Sequence, residues 1–132
     1  MIVLDTHALI WVLEGSPTLG RRAAALANRA LAADRLWTSA IVFWELSLLS
    51  QRGRLRMSVN PDEFRTSVLS LGIQEAALSG EIAIAAARLL GSVKDPADGF
   101  IAATALVHHA TVMTADARLL KAGVVEVVDA RR

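Results

Sequence analysis

The sequence is 132 residues long, 54% hydrophobic and 20% charged, with 14 basic and 13 acidic side chains, a net charge of +1 and no cysteine. That length fits one domain over residues 1–132 and is too short for two; the hydrophobic content excludes a disordered tail, and the charge balance excludes an overall polycationic surface for nucleic acid or membranes. The lack of cysteine excludes a disulfide framework and a thiolate metal site, and with no basic leader and no apolar run of about 18 residues a cytoplasmic protein without a membrane span is expected.

Ile2–Leu4 reads as a first strand, continuously apolar and therefore central, with Asp5 at its carboxyl end. Thr6 is placed to cap a short helix over residues 8–13 that stops near Gly15-Ser16-Pro17, and an alanine-rich helix follows over about 19–33. Residues 36–38 form a second strand. Ser39 then caps a helix carrying Ile41, Val42, Trp44, Glu45, Leu46, Leu48 and Leu49, which ends around Gly53. Asn60-Pro61-Asp62-Glu63 combines an N-cap, a proline at the first helical position and a glutamate three residues past the cap, so a helix runs from there to Gly72. Residues 73–78 give a third strand, and Ser79 caps a helix that ends at Gly91. Asp95-Pro96 starts another helix, which reaches His108-His109; Thr111–Thr114 and residues 124–128 are the last two strands. Short strands alternating with helices predict an α/β domain with a five-stranded, mostly parallel sheet.

Ligands of open parallel sheets bind outside the carboxyl ends of the strands, near a switch in strand order. Asp5 follows the first strand and Asp116 follows Thr111–Thr114, while Asp98 lies in the first turn of its helix and Glu45 within an otherwise apolar one. Taken singly each has an ordinary reading: a helix cap for Asp5, dipole complementation for Asp98 and Asp116, a solvated helix face for Glu45. Taken together, carboxylates converging on one sheet edge repel one another unless a divalent cation neutralises them. Oxygen-only ligands favour Mg²⁺ or Mn²⁺, which can activate water and stabilise charge on a phosphodiester.

The segments LDTHALIW, SAIVFWEL, DPADGFIAATAL and TADARL, in this order and spacing, resemble the PIN-domain ribonucleases and, among them, the VapC-type toxins of bacterial toxin–antitoxin pairs. The resemblance covers nearly the whole chain. It implies a PIN-like three-layer fold whose sheet has the order 3-2-1-4-5, with the first and fourth strands side by side. It also implies a metal-dependent endoribonuclease with Asp5, Glu45, Asp98 and Asp116 as its acidic quartet. Asp5, Asp98 and Asp116 would hold the ion, Glu45 would be a further ligand or orient the attacking water, and Thr6 and Thr114 would support them by hydrogen bonds. The implied partners are RNA, a small VapB-type antitoxin covering the cleft, and a second copy in a homodimer. Position 99 departs from the pattern: many relatives carry arginine after the second aspartate of DPAD, and here it is Gly99. A different reading is a PIN-like module that binds RNA or protein without catalysis; metal-stimulated turnover separates the two.

Arg52, Arg54 and Arg56 form a short basic stretch that can contact an RNA backbone, although most such runs are solvated surface. Trp11, Trp37 and Trp44 read as core or interface aromatics rather than base-stacking platforms. His7 is given a local structural role, His108-His109 complements a helix dipole, and Asp95 caps its helix.

Overall fold

A computed structural model describes residues 1–53 and 60–132. Five strands, β1 (Ile2–Leu4), β2 (Leu36–Ser39), β3 (Gln74–Ala76), β4 (Thr111–Thr114) and β5 (Val127–Asp129), form one sheet in the order β3-β2-β1-β4-β5. Every pairing is parallel, so the mostly parallel expectation becomes an entirely parallel sheet. Leu4 of β1 stands level with Thr38 of β2 and Met113 of β4. These central strands are apolar without alternation because they are covered on both faces: Val3, Leu4, Leu36, Val112 and Met113 are all fully buried. Burying a side chain of the size of Leu4 contributes about 1.5–3 kcal/mol.

The helices are α1 (Thr6–Glu14), α2 (Arg21–Ala32), α3 (Ile41–Gln51), α4 (Pro61–Leu71), α5 (Gly80–Arg88), α6 (Pro96–Val107) and α7 (Ala117–Ala122). Helix α6 lies against β1, β2, β4, α3 and α5. Its small residues make that possible, since Ala97, Gly99, Ala102, Ala103 and Ala105 are buried and let neighbouring backbones approach. On the α5 side, Ile82 and Ala86 close over Ala103. The helix starts as its sequence announces: Asp95 Oδ1 accepts from the Asp98 N–H at 3.1 Å, with Pro96 at the first helical position. It ends at His108, whose ring stacks on Trp37 at 6.0 Å, and His109 turns the chain at a φ of 53°. Among the described residues no helix is long and apolar enough to cross a membrane.

Several expected boundaries shift. The cap of α1 is Asp5 rather than Thr6, because Asp5 keeps extended backbone and its carboxylate accepts from the Ala8 N–H; Thr6 is already the first helical residue. Ser39 sits one residue before the N-cap of α3, yet its hydroxyl still accepts from the Ile41 N–H at 3.2 Å. Strands β3 and β5 are shorter than the apolar runs that mark them. Helix α7 was not expected, although Asp116 caps it and Gly123 closes it in the left-handed region.

The chain beyond β5 is tied to the start of α2. The Gly20 N–H donates to Ala130 O and the Arg22 N–H to Arg132 O, both at 2.9 Å. A Cβ on Gly20 would collide with the Arg132 backbone, so this close approach requires glycine. Gly20→Ala is therefore expected to lower stability by about 1–3 kcal/mol in thermal or denaturant unfolding, the usual cost of forcing atoms into a filled space. An unchanged midpoint would show that the tail does not pack there.

Candidate active site

Strand β1 delivers Asp5 and its neighbour β4 delivers Thr114 and Asp116 to the same edge of the sheet. This is where the strand order reverses, β2 lying on one side of β1 and β4 on the other. The Asp5 N–H extends the ladder to Met113 O at 3.1 Å. The Asp5 side chain is 5% exposed and both of its oxygens are engaged: Oδ1 caps α1 through the Ala8 N–H at 2.8 Å, and Oδ2 accepts from the Thr114 hydroxyl at 2.5 Å. The same hydroxyl accepts from the Asp116 N–H at 3.0 Å, so Thr114 joins two of the acids. Asp116 Oδ1 accepts from the N–H groups of Arg118 and Leu119, and its Oδ2 pairs with the Arg118 guanidinium at 3.3 Å.

Asp98, in the first turn of α6, and Glu45, half-buried on α3, complete a cleft of about 460 Å³. All four acids named from the sequence line it, with Asp95 as a fifth. Their mutual repulsion falls on Asp98. Burial first, then the charges of Asp95, Asp116, Glu45 and Asp5, push its carboxyl up to about 7. Asp5 is also raised, chiefly by burial, against the opposing hydrogen bonds from Thr114 and Ala8. Asp116 differs: burial is the largest single influence and acts upward, but the Arg118 side chain and the N–H groups of Leu119 and Arg118 outweigh it and leave the carboxyl below its ordinary value.

The chemistry of these residues fits a hard divalent cation. The donors are carboxylate oxygens, and the Thr6 hydroxyl, 2% exposed at the edge of the same cleft, is a buried side-chain polar atom without a hydrogen-bond partner among the described residues. Thr6 therefore gives the acids no hydrogen-bond support of the expected kind, whereas Thr114 does. As placed, no three described acids or histidines stand close enough to hold an ion together. Asp5 and Asp116 are fixed by their hydrogen bonds; Asp98 and Glu45 accept none among the described residues and can turn toward an ion.

The basic stretch is not brought to the cleft in the described part of the chain. Arg52 is an exposed residue just past α3 and is absent from the described cleft lining, and Arg54 and Arg56 lie outside the described residues. A Cβ at Gly99 would meet Ala86 O and Val93 O at ordinary contact distance, and as glycine position 99 supplies no cation to the cleft. Among the described residues the cleft's cations are Arg118 and Arg131, and no sequence motif marks either. Trp11, half-buried, also lines the cleft, with His7 beside it at 6.2 Å between ring centroids. Trp44, by contrast, is 53% exposed.

A family model described as the PIN domain matches residues 2–125 of the chain. No protein of curated function matches the sequence. Among solved structures, FitAcB from Neisseria gonorrhoeae is 27% identical, with a TM-score of 0.66 over 98% of this chain and 97% of that one. VapBC-1 from nontypeable Haemophilus influenzae, 21% identical, superimposes with a TM-score of 0.71 over the full length of both chains. A toxin–antitoxin complex from Klebsiella pneumoniae, 23% identical, gives 0.63 over 98% and 97%. The last two are likenesses of fold.

Proposed function

The chain belongs to the PIN-domain family, and we propose that it is a metal-dependent endoribonuclease acting as the toxin of a toxin–antitoxin pair. The observation that carries this reading is the meeting of Asp5, Glu45, Asp98 and Asp116, from four separate segments, in one cleft at the carboxyl ends of β1 and β4. Asp5, Asp98 and Asp116 would hold Mg²⁺ or Mn²⁺. When bound, such an ion supplies stabilisation of the charge on a phosphodiester and activation of water.

The protein's own contribution is positioning and proton handling. Thr114 locks the Asp5 carboxylate and the start of α7 into one frame, so two of the acids cannot move independently. Burial and the neighbouring acids favour a proton on Asp98, and a proton there would have to leave before the carboxylate could serve as a ligand, a release that arriving positive charge promotes. Glu45, half-buried at the cleft and without a hydrogen-bond partner among the described residues, is free to orient the attacking water and take its proton.

The neighbours support the partner assignment: one is a toxin–antitoxin complex, and a small VapB-type antitoxin is the expected inhibitor of this chain. Exposed Ile84 and Leu90 offer apolar surface for a second copy in a homodimer. The purified chain is expected to cut single-stranded RNA when Mg²⁺ or Mn²⁺ is added and to stop when a chelator removes it. Tight RNA binding with no turnover under any divalent ion would instead make it a binding module.

A further inference from the structure

An acidic cleft that receives a polyanion needs cations at its entrance. Five described acids line the cleft against two arginines, and the two differ in how their charge is used. Arg118 is paired with Asp116. Arg131 pairs with no carboxylate among the described residues: its Nη1 donates to Ala115 O at 2.9 Å, and its guanidinium lies over the Trp11 ring, 5.5 Å from the centroid. Backbone anchors hold it there. The Arg131 N–H donates to Asp129 Oδ1 at 2.9 Å, and the residues on either side are bonded to α2 through Gly20 and Arg22.

From this arrangement, and resting on the ribonuclease reading, we infer that Arg131, held over the Trp11 ring, is the phosphate-binding residue that admits single-stranded RNA to the cleft. A guanidinium has five N–H donors in a planar fork, and among the described residues only one is engaged here, which leaves the others for phosphate oxygens. Contact with an indole face helps hold the group in place without neutralising it, whereas the charge of Arg118 is partly offset by its Asp116 partner. Arg131 is exposed, and Ala115, which it grips, directly precedes Asp116, so a phosphate bound at Arg131 lies alongside the acids. Trp11 is a positioning residue: its ring lies under the guanidinium and helps hold it at the cleft.

The test measures RNA affinity against salt in the Asp98→Asn background with Mg²⁺ present, so that binding is read without cleavage. Each phosphate contact adds about 0.7 to the slope of log K against log salt for a single strand. Arg131→Ala is expected to weaken binding of unrelated RNA sequences to a similar extent and to reduce the slope by about that amount. Arg131→Lys should keep the slope but bind several-fold less tightly, and Trp11→Leu should do the same, because charge survives while orientation is lost. Arg132→Ala, whose guanidinium pairs with Asp129 at 3.7 Å, serves as the neighbouring control with an unchanged slope. Equal slopes for Arg131→Ala and its parent, both folded by thermal unfolding, would overturn the inference even if the wild-type chain cuts RNA. An Arg131-dependent slope in a chain that never cuts RNA would uphold it while removing the nuclease reading.

Discussion

Replacing Asp98 by asparagine is expected to stop RNA cleavage and, in the same protein, to make the fold harder to unfold at neutral pH. Loss of a charge-stabilising group from an active site costs about 10²–10³-fold in rate or more. The stability gain comes from repulsion. Burial and the surrounding acids hold the Asp98 carboxyl near 7 in the folded chain, against 3.8 for an ordinary aspartate. Below about pH 4 both states are protonated and the penalty is absent; between about 4 and 7 the unfolded chain ionises first and the fold is progressively disfavoured; above 7 the penalty is constant. The full shift corresponds to about 4 kcal/mol, and because Asp98 is only half-buried, screening reduces the expected gain for Asp98→Asn to about 1–2 kcal/mol. A calorimetric melt at pH 8 should rise by about 3–8 °C and one at pH 4 should not move. Mg²⁺ or Mn²⁺ should raise the wild-type midpoint by binding the folded state and raise that of the variant much less. A variant that melts below wild type at pH 8 would mean that Asp98 carries no excess charge to relieve.

Most of the scaffold was legible because its signals are local. Asn60, Ser79 and Asp95 cap helices where their side chains predict it, each accepting from an N–H two or three residues on. The central strands read as unbroken apolar runs because both faces are covered. Asp5 was harder, since the two readings weighed against each other turn out to share one carboxylate: Oδ1 caps α1 while the group lines the cleft. Thr6 then lost the role assigned to it by a shift of one residue. Helix α7 is not legible because six residues carry too little periodicity, although the helix-dipole reading of Asp116 points to the N-terminus that it caps. The pairing of Trp11 with Arg131 could not be read at all. They are brought together by β5 packing beside β4 and by the tail returning to Gly20, and neither residue announces the other in sequence.

Thr114 should prove as consequential as the acids it serves. Its hydroxyl is fully buried, donates to Asp5 Oδ2 and accepts from the Asp116 N–H. Thr114→Val preserves shape and removes both bonds at once, leaving a buried carboxylate oxygen and a partly buried N–H without partners, at about 1–3 kcal/mol each. A total loss of about 2–4 kcal/mol in denaturant unfolding is expected, with cleavage falling about 10- to 100-fold, as is usual when a group that orients a metal ligand is removed. Thr114→Ser keeps the hydroxyl and should recover most of both. Asp5→Asn separates the two effects. The amide oxygen still caps the Ala8 N–H, the amide nitrogen can donate to Thr114, and the cost of burying a charge disappears, so its melt should stay near wild type. Cleavage should nevertheless fall by about 10³-fold, because a neutral amide is a poor ligand for a hard cation. If Asp5→Asn cuts RNA at the wild-type rate in Mn²⁺, Asp5 is a cap and nothing more, and the short strand that ends on it serves the fold alone.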